Sequence, residues 1–130
     1  MRRRAIPAGM ASRFAQWTLD VADVPRLAAF WSAALGYRIE WDQTGGGHLR
    51  PPDGGLSVWL QPTDAPKNGK NRGHPDLVAD DGEVEAELAR LLDLGATRVD
   101  LGQTGEEPFT VLADPEGNEF CLLHRRSVSG

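Results

Sequence analysis

Apolar and polar positions alternate over residues 13–21, with Trp17, Leu19 and Val21 on one face and Gln16, Thr18 and Asp20 on the other. That period of two predicts a half-buried strand. The pattern then changes to helical spacing: Leu27, Phe30, Trp31, Ala34 and Leu35 recur at three- and four-residue intervals. Asp23 stands where an N-cap belongs, Pro25 falls in the first turn, and Gly36 supplies the stop. Three short strands are expected next, Tyr37 to Trp41, Gly47 to Arg50 and Leu56 to Gln61, separated by turns bearing glycine and proline.

The same order recurs further along. Gly73 to Ala79 reads as a strand, and Asp81 as the cap of a helix with Val84, Leu88, Leu91 and Leu92 on its apolar stripe. Gly95 ends that helix, and Arg98 to Leu101, Phe109 to Ala113 and Glu119 to Leu123 read as three more strands. Asp114-Pro115-Glu116-Gly117 makes the last turn. The offsets are regular: Gln16 maps to His74 (74 − 16 = 58), Asp23 to Asp81 (81 − 23 = 58) and Gly36 to Gly95 (95 − 36 = 59). Each half is therefore βαβββ, and the expected fold is α+β with two pseudo-symmetric modules, module one over 13–62 and module two over 72–126. A polar linker over 63–71 joins them, and a flexible tail over 1–12 precedes them. Similar halves bury a shared interface, which directs the search for a ligand site to the cleft they form.

Composition narrows the function. The 130 residues carry a net charge of −5, which argues against nucleic acid or an anionic membrane as main partner. No apolar run reaches the roughly 20 residues that span a bilayer. One cysteine excludes an internal disulfide and points to a reducing, cytoplasmic setting. Arg2-Arg3-Arg4 is followed by no apolar segment, so it reads as a tail rather than a signal peptide, with Met10 as an alternative start.

The residues quoted for the two halves carry a resemblance to a known group. Asp23, Phe30-Trp31 and Ala34-Leu35-Gly36-Tyr37 are part of it, as are Trp59-Leu60-Gln61 and Lys70-Asn71-Arg72-Gly73-His74-Pro75-Asp76. Leu94-Gly95-Ala96 and Asp114 to Leu122 complete it. Over about residues 13–124 the chain resembles the vicinal oxygen chelate superfamily, the glyoxalase / bleomycin-resistance / extradiol-dioxygenase group, and within it the bacterial glyoxalase-like domains. The resemblance implies a cupped sheet with metal ligands on the first and last strands of each module, here Gln16, Gln61, His74 and Cys121. Metal-using relatives place a glutamate where this chain has Cys121. Glu119 lies two residues earlier, and neither Trp59 nor Gln61 is a carboxylate. With so little charge among the four, no metal or other cofactor is expected, a divalent ion being the less favoured alternative.

The candidate catalytic residues are His74 and Glu119, and the candidate ligand-binding residues are Gln16, Trp41, Trp59, Gln61, His74 and Cys121. His74 offers acid–base chemistry or a hydrogen bond at the cleft edge. Cys121 also reads as a small buried hydrophobe. Asp20 and Asp76 are further carboxylates near the cup, while Trp17 and Trp31 belong to the core. Gly45-Gly46-Gly47 reads as a flexible loop over the cleft mouth, and Trp41 and Trp59 as aromatic walls for an apolar ligand. The expected function is that of a glyoxalase-like enzyme or binder acting on a small carbonyl, hydroxyl or apolar compound, as a homodimer with no nucleic-acid or membrane partner. Sequestration of an aromatic antibiotic or metabolite is the alternative, and a non-catalytic interaction module the third reading.

Overall fold

The computed structural model describes Gly9 and residues 12–126. The expected tail and the alternative start at Met10 fall, apart from Gly9 and Ser12, outside the described residues. Module one runs β1 (Gln16–Val21), α1 (Val24–Leu35), β2 (Arg38–Trp41), β3 (Gly47–Arg50) and β4 (Ser57–Pro62). Module two runs β5 (Asp76–Ala79), α2 (Val84–Leu94), β6 (Thr97–Arg98), β7 (Phe109–Ala113) and β8 (Glu119–Arg126). The sheets have matching orders, β1-β4-β3-β2 and β5-β8-β7-β6, each with one parallel pair, β1 with β4 and β5 with β8. The α+β architecture of two βαβββ modules is as the repeat predicts. Among the described residues, no helix is long and apolar enough to cross a membrane.

Local chemistry explains most boundaries. Asp23 caps α1 by accepting the Arg26 amide at 3.1 Å, and Gly36 closes it in the left-handed region at φ 71°. The second helix corrects the expectation. Asp81 does not cap it; its Oδ1 accepts the Glu83 amide at 2.9 Å across a turn through Gly82 at φ 74°, so α2 starts two residues later than the pattern suggests. The strand expected over Arg98 to Leu101 is instead Thr97–Arg98, because Asp100 turns the chain by accepting the Gly102 amide at 2.8 Å.

One hydrophobic core serves both modules. Leu27, Phe30 and Trp31 of α1 pack with Leu91 of α2 and with Phe120 and Leu122 of β8. The Trp31 ring lies edge-on to Phe30 and to Phe120, with centroids 5.1 Å apart in each case. Module two also completes the polar needs of α1. Glu116 accepts the Ala22 and Asp23 amides at 2.8 and 2.6 Å, where the helix begins. Arg90 donates to the Ala33 and Ala34 carbonyls at 2.9 Å each, where it ends. The signs suit the helix dipole, with a carboxylate at the amino end and a guanidinium at the carboxyl end. Between them the Trp31 indole donates to Asp114 Oδ2 at 2.9 Å.

Asp114 is 2% exposed and also accepts the amides of Glu116 and Asn118 at 2.9 and 3.0 Å, so one side chain shapes the turn and joins the modules. Asp114→Ala leaves the buried indole without an acceptor. The expected loss is at least about 2 kcal/mol of unfolding free energy. Urea denaturation compared with the parent checks it.

Candidate functional site

Strand pairing places one row of side chains across each sheet, on the face away from the helix. In module one that row is Thr18, Trp59, His48 and Glu40, each opposite the next. In module two it is Asp76, Cys121 and Val111. The repeat offset maps Thr18 to Asp76 (18 + 58 = 76), and the matching β1–β4 and β5–β8 pairings then make Trp59 the counterpart of Cys121. The two halves of the cup are thus chemically unlike: thiol and carboxylate in module two stand where module one has an indole and a threonine.

A cavity of about 370 Å³ opens on the module-two face. His74, Asp76, Cys121 and Glu119 line one part of it, and Leu101, Phe109 and Leu123 form apolar wall. His74 precedes β5 instead of opening it, and its Nδ1 lies 3.3 Å from Asp76 Oδ1. One ligating atom from each of His74, Asp76 and Cys121 falls within 4.8 Å of the others, the described residues' candidate group for a metal ion. Cys121 is buried; loss of water pushes its thiol pKa up, and the facing Asp76 carboxylate pushes it further.

Glu119 is 6% exposed. Burial opposes its charge, yet the Asn71 amide at 2.9 Å and the Lys67 ammonium at 3.1 Å outweigh that and hold it below the usual carboxylate range. It therefore anchors the linker to β8 as an anion, with the Lys67 ammonium 3.1 Å from its Oε2 as well. Gln16 and His74 share the wall of a neighbouring cavity of about 450 Å³ between the modules, with Trp17 and Trp31 at its core side.

Other expected ligand contacts lie elsewhere. Trp59 and Gln61 sit on the module-one face, and neither lines these two cavities. The Trp59 indole instead donates to Asp42 Oδ2 at 3.2 Å and stacks on His48, with centroids 5.6 Å apart. Asp42 Oδ2 is also 3.1 Å from His48 Nε2, and Asp42 Oδ1 accepts from the Thr44 hydroxyl and the Thr44 and Gly46 amides at 2.6, 2.8 and 2.9 Å. Those donors, the Thr44 hydroxyl first, hold the Asp42 carboxyl far below its ordinary range against the opposing effect of burial. Trp41 shares the parity of Ile39, so it falls on the helix side of β2, where its ring lies over Gly47 near Val24. The expected flexible glycine loop is tightly packed at its centre: a Cβ on Gly46 would meet Asp42 Oδ2 at 2.7 Å, Trp59 Nε1 at 2.8 Å and the Leu60 carbonyl at 3.0 Å.

Sequence reasoning missed Asp42 and His48, and it missed Lys67, Lys70 and Phe109 around the module-two cavity. Phe109 was within reach, since it alternates in step with Val111. The lysines were not, because only the folded linker brings them to Glu119 and the cavity wall.

The comparisons with known proteins agree with this architecture. Residues 16–123 match the model of the glyoxalase-like domain, and the chain belongs to that family. No curated protein matches the sequence. Among solved structures, the chain is similar to a glyoxalase/bleomycin resistance protein/dioxygenase family enzyme from Burkholderia phytofirmans PsJN, at 15% identity and TM-score 0.70 over 90% of this chain and 100% of that one. A glyoxalase/bleomycin resistance protein from Albidiferax ferrireducens T118 aligns at 22% identity and TM-score 0.64 over 88% and 99%. A mutant of the fosfomycin resistance protein FosX from Listeria monocytogenes, in complex with Mn(II) and 1S,2S-dihydroxypropylphosphonic acid, aligns at 18% identity and TM-score 0.70 over 89% and 92%. At these identities the structural likeness speaks for the fold.

Two outcomes follow from the local geometry. Gly46→Ala is expected to cost about 1–3 kcal/mol and to separate Trp59 from Asp42, since the added Cβ meets both of those side chains and has the Leu60 carbonyl behind it; urea denaturation followed by tryptophan emission reads both. Cys121 in the folded protein is expected to react with iodoacetamide more slowly than free cysteine at neutral pH. Its folded pKa lies above the unfolded value, so its share of stability is intact below the ordinary thiol range and is lost as pH rises through the folded value. Alkylation rates and melting temperature against pH measure the two effects.

Proposed function

We propose that the module-two cavity is the ligand site of a glyoxalase-like enzyme that moves a proton on a small carbonyl or hydroxyl compound. The observation that carries this reading is the His74–Asp76 pair, 3.3 Å apart on the cavity wall, facing apolar surface from Leu101, Phe109 and Leu123. A carboxylate can only accept, so Asp76 favours the tautomer with the proton on Nδ1 and leaves Nε2 as a base. His74 Nε2 takes a proton from carbon next to the carbonyl; the C–H electron pair becomes the carbon–carbon double bond of an enolate, and the carbonyl π pair moves onto oxygen. The Lys70 ammonium, also in the wall, offsets the charge there. Return of the proton to the same carbon on the opposite face gives an epimer, return to the neighbouring carbon an isomer, and loss of a β-substituent a lyase product. The apolar wall also suits sequestration of an aromatic compound without turnover.

The reading includes a homodimer, supported by β2 and β6, which among the described residues end their sheets with no further strand on their outer side. Size-exclusion chromatography with light scattering is expected to give twice the 14.1 kDa chain mass.

The decisive measurement is hydrogen–deuterium exchange at the α-carbon of a panel of α-hydroxycarbonyl compounds, followed by proton NMR in D2O. Catalysed exchange is expected with at least one of them, and His74→Gln should lower its rate by about 10²–10⁴-fold. Saturable binding without exchange supports sequestration instead. Exchange equally fast in the His74 variant removes the histidine from the mechanism.

A further inference from the structure

We propose that His74, Asp76 and Cys121 form a zinc-class divalent metal site held within module two alone. The inference rests on the reading of this cavity as the ligand site; with metal bound, His74 and Asp76 serve as ligands, and the histidine base belongs to the metal-free protein. The superfamily resemblance implies a different donor set, spread over both modules as Gln16, Gln61, His74 and Cys121. That set is nearly uncharged, and the structure does not assemble it: Gln16 shares a cavity wall with His74, but Gln61 lines neither cavity. What the structure does assemble is an imidazole, a carboxylate and a thiol whose ligating atoms all lie within 4.8 Å of one another.

The backbone gives this cluster its rigidity. Asp76 and Cys121 are directly paired positions on the parallel strands β5 and β8, and the Cys121 amide donates to the Pro75 carbonyl at 3.0 Å, next to His74. Zinc binds imidazole nitrogen and carboxylate oxygen at about 2.0–2.2 Å and thiolate sulfur at about 2.3 Å, so donors up to 4.8 Å apart must draw together by side-chain rotation to share one ion. The charge also balances. Thiolate and carboxylate bring two negative charges to a dication, with the thiol proton released to solvent as the metal enters.

Donor type then chooses the metal. Magnesium and manganese favour oxygen ligands, whereas sulfur with nitrogen favours zinc. Three protein ligands leave a fourth position for a ligand in the cavity, the arrangement of catalytic zinc sites. A bound ion would polarise a carbonyl or hydroxyl oxygen there. In module one the counterparts Thr18 and Trp59 offer no such set, which confines the site to one half of the cup.

Titration of chelator-treated protein with cobalt(II) chloride tests this without any activity measurement. The expected result is one equivalent bound, with a sulfur-to-cobalt charge-transfer band in the near ultraviolet and the intense visible absorption of four-coordinate cobalt. Zinc should bleach both, and magnesium or manganese should not. Cys121→Ser should remove the charge-transfer band, and Asp76→Asn should weaken binding at least about tenfold. Gln16→Ala and Gln61→Ala should leave the titration unchanged.

Absence of saturable binding by the parent overturns the proposal, as does cobalt bound without the thiolate band. Loss of affinity in the glutamine variants equal to that in Asp76→Asn overturns it in favour of the two-module set. Circular dichroism checks that the variants fold, and the parent's own spectrum decides the thiolate question if one does not. The two readings fail separately. Proton exchange by chelator-treated protein that shows no cobalt band retires the metal and keeps the acid–base site, and a cobalt band without exchange does the reverse.

Discussion

Beyond the cap that its own Asp23 supplies, helix α1 draws on the other module at both ends, and meeting that need ties the molecule together. Its amino end is met by the Glu116 carboxylate and its carboxyl end by the Arg90 guanidinium, both from the other module. Asp114 holds Trp31 midway along. These contacts fix the rotation of α1 against β8, and with it the packing of Trp31 on Phe120. Because Phe120 and Cys121 point to opposite faces of the same strand, setting one sets the other. The geometry of the cavity is in this sense an outcome of how a distant helix is capped.

Much of the fold was legible because it follows from local rules. Asp23, Pro25 and Gly36 bracket α1 as capping chemistry requires, and the 58-residue offset between Gln16 and His74 announced a second copy of the motif. Gly47 to Arg50 and Phe109 to Ala113 are strands with the expected ends. Where local rules offered two answers, the reading missed. An aspartate just before a helical run can cap the helix or turn the chain ahead of it, and Asp81, three residues before Val84, does the second. A triple glycine can be loose or tightly packed, and only the neighbours of Gly46 show which.

The site was legible in part for the same reason. His74 and Cys121 could be placed from the repeat, and they do line one cavity. Asp76 was noted as a carboxylate near the cup, but its meeting with the thiol depends on the register of β5 against β8, which spacing alone does not give. Trp59 was assigned to the cup by parity, and parity was right about its face. What parity could not supply was its partner: the indole is committed to Asp42 and His48 on module one. The repeat predicts equal geometry in the two halves, whereas chemistry diverged, with a carboxylate and a thiol in one and an aromatic brace in the other.

The bond from Glu116 to the start of α1 spans 93 residues of sequence. As the chain leaves the ribosome, module one emerges with its helix uncapped by that carboxylate and the Trp31 indole without its acceptor. Neither deficit ends until the Asp-Pro-Glu-Gly-Asn turn near the carboxyl terminus has also emerged. The N-terminal half therefore waits for the C-terminal half, and domain-by-domain folding during synthesis gives way to a late, concerted closure. A ribosome stalled before residue 114 would hold out a module with an unfinished helix, and that exposed state is the natural target of chaperones and proteases.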